Sequence, residues 1–252
     1  QWLQCLTERE WLIREGESWR CRIPLSEIPE PQEACPQSQW SQALAQYLET
    51  CIARHDALFS GQCSPLELLF NEQHRVTDAL YRDNPASACL NRYTAQIAAL
   101  CSAERILEVG AGTAATTAPV LKATRNTRQS YHFTDVSAQF LNDARARFHD
   151  ESQVSYALFD INQPLDFTAH PEAGYDLIVA VNVLHDASHV VQTLRRLKLL
   201  LKAGGHLLIV EATERNSVFQ LASVGFIEGL SGYRDFRRRD EKPMLTRSAW
   251  QE

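Results

Sequence analysis

The sequence predicts an α/β fold: a doubly wound parallel sheet with a helical lobe before it. Three observations predict it. Apolar strand-like runs alternate with helix-like runs from residue 104 to 213, the pattern of a parallel sheet covered by helices on both faces. The polarity of the chain changes abruptly near residue 101. A glycine-rich turn, EVGAGTAATT from Glu108 to Thr117, follows the first of the strand-like runs, where such sheets bind nucleotides.

The elements follow in order. REWLIREGESWRCRIPL, from Arg9, has room for a short helix and then a strand, and IPEPQEACPQSQ reads as a linker. Residues 1–39 are expected to be irregular. Trp40 to Leu58 reads as a helix with Leu44, Tyr47, Leu48 and Ile52 on one side. SPLELLF offers Ser64 as N-cap, Pro65 at the first helical position and Glu67 at the third. Pro85 starts a helix that runs to about Leu100 and completes a lobe over residues 40–100. The core, residues 101–216, then reads RILEVG, YHFTDV, VSYALFDI, YDLIVAVNVLH and HLLIVEAT as strands. Between them TAATTAPVLKATRN, SAQFLNDARARFHD and SHVVQTLRRLKLLLKAGG read as helices, the last with a glycine stop. Residues 217–252 read as helix and then loop.

Composition excludes several functions. A net charge of -6 and a basic run, Arg234 to Lys242, interleaved with acids argue against nucleic acid; that run reads as a solvated face. Seven cysteines without a CxxC pair suit free thiols in a reducing compartment, and the expected location is cytoplasmic. No apolar stretch is long enough to cross a bilayer, and no HExxH or carboxylate cluster implies a metal. The chain has no initiator Met and ends in SAWQE without a helix stop, as expected of a segment from something larger.

The chemistry is expected at the carboxyl ends of the strands. Gly110 allows the tight turn, and Gly112 allows a ligand to approach the backbone at a helix N-terminus. Glu108 could orient that backbone or a ligand amine, and Asp135, ending the second strand, can accept both hydroxyls of a ribose. Ala114 stands where a third glycine is usual and Ala115 follows it; their methyls are expected to narrow the gap between helix and ligand and so to weaken cofactor binding. Asp160 could touch a base or ribose, or cap the turn before NQP. Asn182 and His185 end the fourth strand and Glu211 the fifth. Single crossovers make those strands neighbours, which brings His185 and Glu211 to one mouth. A histidine held by a carboxylate has a fixed tautomer and raised basicity, and can take a proton from an acidic carbon. His132, His189 and His206 read as structural or exposed.

RILEVGAGTAATT, YHFTDVS, FDINQP, YDLIVAVNVLHD and LLLKAGGHLLIVEAT resemble the methyltransferase domains of polyketide synthases and nonribosomal peptide synthetases, over about residues 65–250. The resemblance implies the class I S-adenosylmethionine-dependent fold, cut short at its C-terminal end. ALYRDNPASACLNR resembles the helical lid of those domains, and GFIEGLSGYRDFRRRDEKPMLTRSAW their substrate side. It implies that Glu108, Gly110, Gly112, Asp135, Asp160 and Asn182 line the cofactor crevice. It also implies that His185 and Glu211 deprotonate the carbon beside a thioester, with Tyr81 and Tyr233 as candidates for a second donor. The implied partners are a carrier domain presenting a phosphopantetheine-tethered substrate and neighbouring synthetase domains in cis, with no nucleic acid and no membrane. Where the family usually reads GAGTGG this chain reads GAGTAA, and it resembles the embedded domains of siderophore synthetases of the pyochelin and yersiniabactin kind, whose cofactor loop is degenerate. The departure puts epimerisation of a cysteinyl or thiazolinyl thioester first, with no cofactor required. Carbon methylation with S-adenosylmethionine and a non-catalytic pseudo-methyltransferase are the alternatives.

Overall fold

In a computed structural model the structure describes residues 2–22, 24, 38–70, 75–125, 129–165, 174–213, 232–240 and 243–251. Helix α1 (Trp2–Glu8) leads into an antiparallel hairpin of β1 (Leu12–Glu15) and β2 (Ser18–Cys21). The sequence reading expected a single strand here. The pairing of Glu15 with Ser18 leaves Gly16 and Glu17 as a two-residue turn, and Gly16 supplies the positive φ such turns need. Most of the linker lies outside the described residues.

The lobe begins with α2 (Gln39–Ala53), started by a capping box in which Ser38 and Ser41 satisfy each other's backbone. It breaks at Arg54 and resumes as α3 (His55–Phe59), followed by α4 (Pro65–Leu69) with Pro65 in its first turn. Two expectations change. The Ser64 side chain makes no capping bond. Ile52 is 58% exposed, and Cys51 takes its place in the small core of Tyr47, Leu58, Leu69 and Val76. The i, i+3, i+7 spacing of Leu44, Tyr47 and Cys51 defines the buried stripe. Helix α5 (Arg75–Asp78) then widens into a one-turn π-helix, Ala79–Asp83. Asn84 stops that turn and caps α6 (Pro85–Leu100), accepting from the Ser87 N–H.

The sheet contains β3 (Arg105–Val109), β4 (Ser130–Asp135), β5 (Val154–Leu158), β6 (Tyr175–Val181) and β7 (Leu201–Val210) in the order β5-β4-β3-β6-β7. Every neighbouring pair is parallel, as expected. The crossovers carry α7 (Thr117–Thr124), α8 (Ala138–Arg147) and α9 (Val190–Leu200). Because side chains alternate along a strand, β3 feeds two cores. Leu107 and Val109 pack with Ile178, Leu184 and Leu197, while Ile106 packs with Val120, Tyr131 and Ala98 of α6. The winding direction reverses between β3 and β6, and their carboxyl ends therefore open on one crevice.

Two helix boundaries differ from the sequence reading. The helix after the glycine loop starts at Thr117, not at Thr113, because Ala114 sits at φ 61°, in the left-handed region. The glycine stop expected after residue 200 is part of β7. Leu201 already pairs with Tyr175, and the register shifts before His206 pairs with Leu177. Gly205 fits there because an added Cβ would lie 2.8 Å from the Tyr175 carbonyl oxygen. A last short helix, α10 (Arg237–Asp240), belongs to the C-terminal segment; residues 214–231 of the helix-and-loop reading lie outside the described residues.

Glu108 lies in the core beneath the glycine loop, at the point where β3, β4 and α7 meet. Its Oε2 accepts from the hydroxyls of Thr117 (2.5 Å) and Tyr131 (2.6 Å). Burial drives its carboxyl up to about 7, against the lowering effect of those two hydrogen bonds. A carboxyl whose folded value exceeds its unfolded value stabilises fully below the unfolded value of about 4.5, and that contribution is lost as pH rises through 7. The loss is up to about 3 kcal/mol. Glu108→Gln keeps an acceptor for both hydroxyls and has no charge to bury. Its melting temperature relative to wild type is therefore expected to rise between pH 5 and pH 8. Parallel pH curves from thermal unfolding of the two proteins would contradict this placement of the charge.

Candidate active site

The glycine loop runs from β3 over the end of β4 into α7. Gly110 has φ 63°, and an added Cβ would fall 2.3 Å from Cγ2 of Val183, just past β6. Its missing side chain lets the β3 and β6 ends close together. Gly112, at φ 52°, faces open space, with nothing within 4 Å of where a Cβ would stand. That is the face on which a ligand can reach the backbone. Asp135 fixes the loop: Oδ2 accepts from the Gly112 N–H and Oδ1 from the Ser137 N–H, each at 2.9 Å. Burial raises its carboxyl above the ordinary value, against the lowering effect of those backbone bonds. Each oxygen retains a lone pair for a ligand hydroxyl.

Ala114 does not lie where the sequence reading put it. Its methyl is buried with Ala111, Phe133, Leu141 and Ala144, in the core between β4 and α8. The methyl therefore fills protein interior and leaves the gap between helix and ligand open. The remaining cost is backbone strain of about 1–2 kcal/mol for a non-glycine residue in the left-handed region. The loop, with Gly112 open above it and Asp135 fixed beneath, fits the methionine and ribose of S-adenosylmethionine. Glu108 does not border that space; it acts on the loop from below through Thr117. Asp160 caps its own turn, with Oδ1 accepting from the Asn162 N–H at 2.8 Å, the second of the two roles open to it. Asn182, at φ 51°, donates its N–H to Val210 O and turns the chain sharply at the crevice mouth.

His185 and Glu211 meet as the crossover argument required. Nδ1 of His185 lies 2.8 Å from Oε2 of Glu211. A carboxylate only accepts, so Nδ1 carries the proton and Nε2 presents its lone pair. The other oxygen of Glu211 accepts from the N–H groups of Val183 (2.8 Å) and Leu184 (2.6 Å). The Glu211 side chain is 2% exposed, and that of His185 is 15% exposed. Burial alone would lower His185, but the hydrogen bond and charge of Glu211, with the charge of Asp186, outweigh it and hold the imidazole above its ordinary value. Asp186 Oδ1 stands 3.6 Å from Nε2, too far to hydrogen-bond it. This arrangement fixes the tautomer of an imidazole at the crevice mouth and leaves Nε2 as an acceptor, which is what general-base chemistry requires.

The sequence reading missed what holds His185 in place. Arg237, read there as part of a solvated basic face, is 2% exposed. Its guanidinium grips Asp235 through Nε (2.8 Å) and Nη2 (2.9 Å), and donates from Nη1 to the carbonyls of His185 (3.0 Å) and Pro243 (3.2 Å), and from Nη2 to that of Ala187. Asp235 in turn caps the start of α9, accepting from the Val190 N–H at 2.9 Å. Tyr233 lies under the guanidinium, 5.2 Å from it, and so belongs to this clasp. Asn162 adds a second tie, from Nδ2 to Asp186 O and from the Ser188 N–H to its Oδ1. Tyr81 stands on the π-helical turn of the lobe: burial first, and then the charges of Asp186 and Glu211, raise its hydroxyl to about 12, so it is a donor at neutral pH. His132 and His206 lie within the strands, His132 bonded to the Tyr175 hydroxyl at 2.5 Å. Among the described residues no group of three or more His, Cys, Asp and Glu side chains could hold a metal ion, and no helix is long and apolar enough to cross a membrane.

Comparison with known proteins agrees with this geometry. Residues 107–207 match the family model described as a methyltransferase domain. The chain is 35% identical to polyketide synthase ThaG of Burkholderia thailandensis over 82% of its own length, which is 4% of that synthase. It is 30% identical to pyochelin synthetase PchF of Pseudomonas aeruginosa over 94% of its length, or 14% of that synthetase. The chain thus spans a small part of these relatives. Its structure superposes on the CurJ carbon methyltransferase with a TM-score of 0.83 and 28% identity, covering 99% of this chain and 69% of that one. The DszA carbon methyltransferase gives 0.82 and 25%, covering 99% and 68%. The chain has the Rossmann-like fold of the class I S-adenosylmethionine-dependent methyltransferases with an N-terminal helical extension, and is a methyltransferase-fold domain of the kind embedded in polyketide and nonribosomal peptide synthetases.

Proposed function

We propose that this domain methylates an acidic carbon of a thioester carried on the phosphopantetheine arm of a carrier protein domain. The observation that supports it is the His185–Glu211 pair, with its free Nε2 at the crevice mouth and its carboxylate fixed by two backbone N–H groups. An amine needs no such base, whereas a carbon between a thioester and a second electron-withdrawing group does. His185 Nε2 takes the α-proton, and the electron pair left on carbon is delocalised into the thioester carbonyl. Glu211 stabilises the imidazolium that forms. Gly110, Gly112 and Asp135 would hold the cofactor above the β3–β4 end, with Asn182 at its border. S-adenosylmethionine supplies an electrophilic methyl group when bound. Tyr81, whose phenol stays protonated at neutral pH, would donate to the enolate oxygen under this reading.

A second reading has one specific support. The pyochelin synthetase relative matches almost the whole chain, and the pair by itself would remove an α-proton and let it return on the other face. Under that reading the substrate is a cysteinyl or thiazolinyl thioester and no methyl donor takes part. The burial of the Ala114 methyl removes one of the two steric reasons for putting this reading first; the Ala115 methyl is the other.

The two readings separate in one experiment. A β-ketoacyl N-acetylcysteamine thioester is incubated with S-adenosylmethionine and followed by mass spectrometry. A cysteinyl thioester is incubated in deuterium oxide without cofactor. Gain of a methyl group by the first probe is the expected result. Deuterium and stereochemical inversion in the second, with no methylation of the first, would replace the proposal by epimerisation, and silence in both would remove it.

Replacing His185 by Ala is expected to slow methyl transfer by about 10²–10⁴-fold. Glu211→Gln is expected to cost a similar factor for a different reason. The glutamine can still accept from Val183 and Leu184, but its NH₂ then faces Nδ1 and forces the proton onto Nε2, the wrong tautomer for a base. Wild-type activity is expected to rise with pH through the His185 pKa, which lies above 6.5, because only neutral imidazole accepts the proton. A pH profile that is flat across this range, or unchanged by Glu211→Gln, would count against His185 as the base.

A further inference from the structure

The π-helical turn that carries Tyr81 widens the backbone spacing, and its carbonyls are satisfied by side chains of the next helix. Asn84 Nδ2 (2.5 Å) and the Ser87 hydroxyl (2.7 Å) donate to Leu80 O. Asn91 Nδ2 donates to Tyr81 O at 2.8 Å. The same amide faces the other way with its oxygen, which accepts from the Thr116 hydroxyl at 2.9 Å. Thr116 closes the glycine loop at the start of α7. Asn91 and Thr116 are both buried. One side chain thus joins the glycine loop to the carbonyl of Tyr81.

A buried amide committed at both ends has one low-energy orientation, since turning it over sets its oxygen against the Tyr81 carbonyl and leaves both acceptors without a donor. A shift of Thr116 is therefore passed to the Tyr81 turn or breaks a buried hydrogen bond. The loop has a further fixed point, where Arg147 Nη1 donates to Thr113 O.

We propose that Asn91 is a positioning residue that couples the glycine loop to the Tyr81 turn, so that a ligand in the loop fixes Tyr81 at the mouth of the His185–Glu211 pair. The proposal rests on the cofactor reading above. It adds a role for the lobe: cofactor occupancy and the donor on the far side of the crevice are set together.

The test uses S-adenosylhomocysteine and needs no turnover. Calorimetry measures its binding to the full chain, and amide hydrogen exchange follows residues 79–83 with and without it. Binding is expected to slow exchange across that turn by about tenfold, the coupling usual within one hydrogen-bonded network. Thr116→Val, which is isosteric and removes only the hydroxyl, is expected to bind the probe and lose the protection. Thr116→Ser is expected to restore it, and Asn91→Ala to lose it as Thr116→Val does. As a kinetic counterpart, Thr116→Val is expected to lower kcat for methyl transfer about tenfold with little change in KM, and to have no further effect in a Tyr81→Phe background. Binding that protects residues 79–83 equally in wild type and Thr116→Val overturns the coupling while leaving the cofactor reading in place. Absence of any binding to wild type overturns the cofactor reading and the coupling with it.

Discussion

The carboxylate of Glu211 is the interaction on which the site depends. It ends β7, yet all its bonds are made to the loop after β6: two backbone N–H groups and the imidazole of His185. An ion buried this deeply is tolerated only when its hydrogen bonds are made, and here they fix the turn at Val183 and Leu184 as well as the histidine. Leu184 is then carried into the core beneath α9, and His185 is left at the surface of the crevice. The parallel pairing of β6 and β7 brings the two ends to one level, so the sheet register and the chemistry rest on the same contact.

Around that contact the remaining parts act on position. Arg237 binds the carbonyls on both sides of Asp186, and Asp235 caps α9, so the C-terminal segment closes the His185 turn from outside. Gly110 lets Val183 approach β3, which joins the glycine loop to the same turn. Glu108 and Asp135 hold the loop from below and from β4. The crevice is therefore preorganised on its sheet side, where electrostatic groups must already point correctly before a reaction begins. On the lobe side, Asn84 and Asn91 tie the π-turn to α6 and, through Thr116, to the loop.

Much of the fold was legible in the sequence because the central strands β3 and β6 are buried on both faces and so read as continuous apolar runs. The errors fell where a local signal has two meanings. KAGG after a helical run is a helix stop by composition, but Gly205 serves the close approach of β7 to Tyr175. TAATT looks helical by propensity, but the loop forces Ala114 to positive φ. Ile52 and Cys51 are adjacent, and only the packing of the lobe decides which of them is inside.

By itself the sequence determined the parallel order of elements, the glycine loop, the acid at the end of β4 and the meeting of His185 with Glu211. These follow from strand alternation and single crossovers, which fix what lies at each strand end without knowledge of side-chain packing. Only the tertiary structure decided the rest. Arg237 among its charged neighbours carries no sign of burial in the sequence; the carbonyls of His185 and Ala187 from a distant segment, that of Pro243 nearby and the Tyr233 ring make it an internal clasp. The direction of the Ala114 methyl is likewise set by Phe133 and Leu141, from another strand and another helix. A one-carbon change in a glycine loop has opposite consequences on its two faces, and the face is chosen by what packs behind the loop.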